Sequence, residues 1–253
     1  IQDADMVLLT HARRDVVWAA RVPVGRGAQA VAPAAEADRF TDAEAFWDGF
    51  ATARFHDYRQ QTTKVPVVPL RIDQTVENGD IFRWQDLSLK VLETPGYTRG
   101  AVSYLLEVDD IRYAFVGDLI YGDGQILDLY SLQDEVPELQ IGGYHGYAAR
   151  MGQLIASLRA TASEKPDILV PARGPVIRNP QAAIEHLVDR LQAVYENYLS
   201  ISAGRYYFKS RYDGLARRVL DEPHDVPWMR TATIDENPPD WMICIGTVSY
   251  THL

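Results

Sequence analysis

Four times in this chain a short apolar run stops at a tight polar loop. Met6-Val7-Leu8-Leu9 runs into Thr10-His11-Ala12-Arg13-Arg14-Asp15-Val16, and Leu87–Glu93 runs into Thr94-Pro95-Gly96-Tyr97-Thr98-Arg99-Gly100. Ile111–Gly117 ends in Asp118-Leu119, and Asp167–Pro171 ends in Ala172-Arg173-Gly174-Pro175. A strand that halts at a loop rich in Gly and Pro sets its polar residues at the carboxyl edge of a sheet, where α/β proteins present ligands. His11, Arg13, Arg14 and Asp15 within five positions is more chemistry than a plain turn requires. Such a loop can hold a metal, replace one, or do neither.

The elements between the loops alternate in kind. Residues 5–10 read as a buried strand, 14–20 as the start of a helix, and Gly27–Val31 as a second short strand. Asp42 to about Arg54 reads as a helix, with Thr41 as its N-cap and Phe46, Trp47 and Phe50 on one face. Val65–Ile72 carries two prolines and is expected as an edge strand. Ile81–Trp84, Leu87–Glu93, Ala101–Val108 and Ile111–Gly117 read as successive strands, with turns at Asn78-Gly79 and Asp109-Asp110. Residues 147–163 and Pro180 to about Ser200 carry helical apolar stripes, and a proline opens the second. These elements make one domain over residues 1–205. Residues 206–253 read as a linker, with Trp241–Ile245 as the start of a further domain and Val248–Leu253 as a non-native tail.

Composition excludes several classes. With 47% apolar residues in 253, the chain can bury a full core, yet no run approaches the 18 apolar residues of a membrane span. The net charge of −10 argues against nucleic acid and against anionic membrane surfaces as partners. One cysteine, Cys244, rules out an internal disulfide and a cysteine-based zinc cluster, so a reducing, cytoplasmic setting is expected. The first residues lack the basic and apolar regions of a signal peptide, and the start without Met reads as a fragment or processed chain. Neither Gly-x-Ser-x-Gly nor a P-loop is present.

In order, spacing and flanking strands, the four loops resemble the metallo-β-lactamase superfamily. Its motifs read T-H-x-H-x-D-H, T-P-G-H-T-x-G, a G-D after a strand, and P-G-H-G-P. The resemblance runs from about residue 5 to 200. It implies an α/β, four-layer αββα sandwich, here without the strands that precede the first motif, so the neighbours of those strands should be exposed or re-paired. It also implies a metal-dependent hydrolase of an ester, thioester or phosphodiester, in which a metal-bound hydroxide attacks.

The departures fall on the ligand positions. The positions of the two-metal site are held here by His11, Arg13, Asp15, Val16, Tyr97, Asp118 and Arg173. Only His11, Asp15 and Asp118 keep the ligand type. A catalytic zinc takes about three protein ligands and a water, and Arg13 and Arg173 put fixed positive charge where a dication would sit. Two readings follow. In one, His11, Asp15 and Asp118 hold zinc or another divalent metal, joined by His145, and Tyr97, Arg13 or Arg173 steadies an oxyanion. On that reading Asp118, Asp15 and Tyr97 are the catalytic set. In the other, the protein is inactive: Arg13 and Arg173 neutralise Asp15 and Asp118 in place of the metals, and the network, with His145 at its rim, binds an anionic ligand or is purely structural. A third, weaker reading is an interaction module. The expected partner is a small-molecule substrate or an anion. Tyr97 either donates to a substrate oxygen or fills the space of a lost metal. His56 is a rim candidate, His186 a solvated face residue, and Asp123 and Asp128 turn residues.

Overall fold

The computed structural model describes residues 4–45, 66–132 and 150–201. The aromatic face of the helix expected after Asp42, His56, His145, Cys244 and the expectations for residues 206–253 lie outside the described residues, as does the side chain of Asp15.

Among the described residues, eight strands form two sheets. β1 (Met6–Leu8), β2 (Gln29–Pro33) and β3 (Gln74–Val76) lie parallel in that order. β4 (Ile81–Trp84), β5 (Leu87–Glu93), β6 (Val102–Val108) and β7 (Ile111–Gly117) form an antiparallel meander, and β8 (Ile168–Pro171) closes it parallel to β7. The β6–β7 hairpin turns on Asp109 and Asp110, both with positive φ (52° and 60°), a backbone state that short polar side chains tolerate.

Side-chain alternation assembles the layers. On β2, Ala30 and Ala32 point to one face and Val31 to the other. The alanine face packs on α1 (Arg14–Val17), α2 (Arg21–Gly25) and α3 (Ala37–Thr41) through Val17, Val24 and Phe40. The Val31 face meets Leu89, Val91, Val102 and Tyr104 of the second sheet. The far side of that sheet, with Leu105, Ala114 and Leu169, packs on α4 (Met151–Ser163) and α5 (Pro180–Ser200). The order is helices, sheet, sheet, helices: the αββα sandwich that the loop motifs imply.

Three local expectations are corrected or qualified. Residues 66–72 form no strand; Pro66 and Pro69 remove ladder donors, and the parallel partner of β2 is the segment Gln74–Val76 beyond them. Thr41 is not the cap of the next helix but the last residue of α3, and Asp42 caps instead, its Oδ1 accepting the Ala45 N–H at 3.1 Å. Residues 5–10, read as a buried strand, hold a shorter one: β1 spans Met6–Leu8 and is only half-buried. Among the described residues β1 pairs with β2 alone, and a cavity of about 720 Å³ opens beside it, floored by Phe82, Trp84, Leu106 and Phe115.

The described helices include none long and apolar enough to cross a membrane. The energetics of the layers can be checked directly. Leu158, fully buried on α4, should cost about 2–5 kcal/mol when cut to alanine, as a cavity replaces it. The same truncation at Val22, 52% exposed on α2, should stay within about 0.5 kcal/mol. Urea unfolding of both variants measures the difference.

Candidate functional site

All four motif loops reach the same end of the sandwich. The first follows β1 and is tied to the second sheet where Val102 N–H donates to the Thr10 carbonyl at 2.9 Å. The third leaves β7 at Gly117, whose φ is +56° and where a Cβ would sit 2.6 Å from Thr10 Oγ1 and 3.0 Å from His11 Nδ1. Only glycine allows both that backbone conformation and that closeness to the first loop. The fourth loop is joined to the third by Ala172 N–H donating to the Gly117 carbonyl at 2.8 Å.

Asp118 is the centre of this arrangement, 2% exposed. Its Oδ2 lies 3.2 Å from Arg173 Nη2 and 3.3 Å from His11 Nε2. Its Oδ1 accepts a short hydrogen bond from the Tyr121 hydroxyl. Burial pushes the Asp118 pKa up, but His11, the Tyr121 hydroxyl and the Arg173 guanidinium together outweigh it and hold the carboxyl below its ordinary 3.8. Tyr121 is pushed upward in turn, first by burial and then by its bond to the carboxylate. His11 is 1% exposed, with Nδ1 2.9 Å from Thr10 Oγ1. Because Nε2 faces a carboxylate, the proton belongs on Nε2 and the Thr10 hydroxyl donates to Nδ1. The Nε2–Oδ2 approach is an ion-pair distance without hydrogen-bond alignment.

The two arginines behave differently. Arg173 pairs with Asp118. Arg13 does not: it stacks over the Tyr97 ring, its Cζ 4.8 Å from the centroid, and donates to Ser131 Oγ at 2.8 Å and more distantly to the Tyr97 carbonyl at 3.4 Å. Arg13 therefore makes no contact with Asp118, and the Arg13–Asp15 half of the expected network lies outside the described residues with the Asp15 side chain. A guanidinium finds a face on tyrosine and a hydroxyl acceptor nearer than the carboxylate that Arg173 already occupies. Tyr97 is 3% exposed, edge-on to His11 at 6.1 Å, and its hydroxyl donates to Asp128 Oδ2 at 3.3 Å. Burial raises its pKa to about 12, so it stays a neutral phenol.

Several residues here are not legible as site residues in the chain alone. Tyr121 sits three positions beyond Asp118, inside a turn closed by two Tyr121–Gln125 backbone hydrogen bonds. Asp128, read as a turn residue, does accept the Ser131 N–H at 2.8 Å, but its other oxygen takes the Tyr97 hydroxyl. Glu36, 1% exposed, accepts N–H groups from the first and second loops. The only sequence signal for Glu36 is an acid in an otherwise small apolar run, Val31-Ala-Pro-Ala-Ala35. Asp123 and His186, the latter on α5, pair at 3.0 Å with both side chains exposed.

The described donor set does not fit a zinc centre. His11 and Asp118 face each other, and a permanent cation already sits on the Asp118 oxygen that a metal would take. Among the described residues no three His, Cys, Asp or Glu side chains gather in a metal-binding group.

No family model matches the chain. A hydroxyacylglutathione hydrolase from Brucella anthropi is 39% identical over 66 residues, 26% of this chain and 23% of that protein. The match thus spans about a quarter of the relative's length. Among solved structures, a metallo-β-lactamase family protein from Thermus thermophilus aligns with a TM-score of 0.60 at 18% identity, covering 94% of this chain and 79% of that one. A class B3 di-zinc metallo-β-lactamase from an Alaskan soil metagenome aligns at 0.50 and 20% identity, covering 76% and 72%. The chain has the metallo-β-lactamase fold. That fold carries the frame of four loops, and the residues on it define a site built around an Arg–Asp–His–Tyr cluster.

The pH dependence of stability reports the Asp118 environment. A carboxyl held below its unfolded value contributes stability that is complete above pH ~4 and is lost as pH falls through the folded pKa. Asp118→Asn should remove that acid-limb slope while lowering stability at neutral pH. Thermal melts from about pH 2.5 to 7 read both effects.

Proposed function

We propose that this protein is a metallo-β-lactamase-fold member whose site binds a small oxyanion without a metal, Arg173 serving as the cation for Asp118. The Arg173–Asp118 contact carries the reading: a guanidinium on a buried carboxylate, through one Nη2–Oδ2 contact, does the charge balancing that a dication otherwise does. Buried polar atoms without a hydrogen-bond partner among the described residues support the ligand class. Arg13 Nε and Thr98 Oγ1 lie in the first two loops, and both can donate. A site whose unmet groups are donors selects an acceptor-rich ligand, a phosphate or a carboxylate.

Hydrolysis of an acylglutathione is a second reading. It is favoured by the local 39% identity to the hydroxyacylglutathione hydrolase. It requires Asp15 and His145, whose side chains lie outside the described residues, to complete a metal donor set with His11 and Asp118. A hydroxyacylglutathione assay with added zinc, repeated with Asp118→Ala, separates it from the first.

Calorimetric titration with inorganic phosphate tests the oxyanion reading. Saturable millimolar binding is expected, and Arg13→Ala should weaken it about tenfold or more, the worth of a lost charge-assisted hydrogen bond. Absence of binding up to about a hundred times that range overturns the reading.

A further inference from the structure

We infer that Glu36 is the positioning residue of this site, fixing the first loop against the second; the inference rests on the oxyanion reading for its affinity consequence but not for its geometry. Glu36 ends the short 3-10 turn Ala34–Glu36 after β2, remote in sequence from both loops. Its carboxylate is split between them. Oε2 accepts the Ala12 N–H at 2.5 Å, between His11 and Arg13, and Oε1 accepts the Gly100 N–H at 2.8 Å, three residues after Tyr97. At 1% exposure the charge has no water to fall back on, so both N–H bonds are strongly held.

The second loop is shaped to reach it. A Cβ on Gly100 would lie 2.6 Å from Ala35 Cβ and 2.8 Å from Glu36 Cγ, so only glycine lets this backbone approach. The groups whose spacing the brace sets are those that meet across the loops: the His11 and Tyr97 rings, edge-on at 6.1 Å, and Arg13 over Tyr97 at 4.8 Å. One rigid carboxylate between two backbone donors thus sets the distance between the imidazole, the guanidinium and the phenol. A side chain that served packing alone would need neither oxygen.

Three variants of the full chain test this by NMR, thermal melting and phosphate titration. Glu36→Gln keeps size and one acceptor oxygen, Glu36→Ala removes both, and Gly100→Ala displaces the brace from the other side. Glu36→Gln should stay folded yet weaken the His11–Tyr97 ring contact seen by nuclear Overhauser effects, and should speed solvent exchange of the Ala12 or Gly100 amide at least about tenfold. Glu36→Ala and Gly100→Ala should weaken phosphate binding by about tenfold, with Glu36→Gln between them and the parent. If Glu36→Ala fails to fold, Glu36→Gln decides by the ring contact and amide exchange. Should the parent bind no phosphate, the oxyanion reading fails while the ring contact still tests the brace. Variants that melt lower but keep the ring contact, the amide protection and the phosphate affinity within about twofold of the parent overturn the inference.

Discussion

A carboxylate buried to 2% exposure must be neutralised where it sits, and Asp118 is that carboxylate. Three elements at the carboxyl edge of the sandwich meet this demand. The first loop brings His11, the fourth brings Arg173, and the turn after the third brings Tyr121. The glycine before Asp118 lets the first and third loops touch, so the cluster and the backbone frame form together. Removing the cation would leave an uncompensated charge in the interior, which costs more than the pair itself contributes.

The second loop contributes packing and position rather than charge. Tyr97 lies against His11 and under Arg13, with its hydroxyl on Asp128. A phenol is neutral near neutral pH, and burial raises its pKa further, so Tyr97 adds no second buried anion beside Asp118. The division between the arginines follows from geometry. Arg173 takes the carboxylate, and Arg13 takes an aromatic face and a hydroxyl, both good guanidinium partners. Two arginines at neighbouring loop positions therefore carry different roles: one neutralises, the other lines.

Much of this is readable from the chain alone, for definite physical reasons. The loop frames show because Gly96, Gly117 and the flanking prolines are dictated by backbone geometry whatever the loop binds. The meander shows because period-2 alternation and the Asp109-Asp110 turn are local. Pro180 marks the start of α5 for the same reason. Partnerships made across the fold do not show. Tyr121, Ser131 and Glu36 carry no motif, and their roles exist only once distant loops meet. Charge alone pairs Arg13 with a carboxylate; its stacking on Tyr97 depends on a contact 84 residues away in sequence. Asp42 displaces Thr41 as cap because α3 extends through Thr41.

On the proposed reading a protein cation has taken the metal's place at Asp118. Zinc content after incubation with excess zinc and removal of the unbound ion, read by elemental analysis on the folded chain, tests it most directly. Far less than one zinc per chain is expected, with the melting temperature unmoved by the ion. One or two tightly held zinc ions per chain, accompanied by a rise in melting temperature, would contradict it.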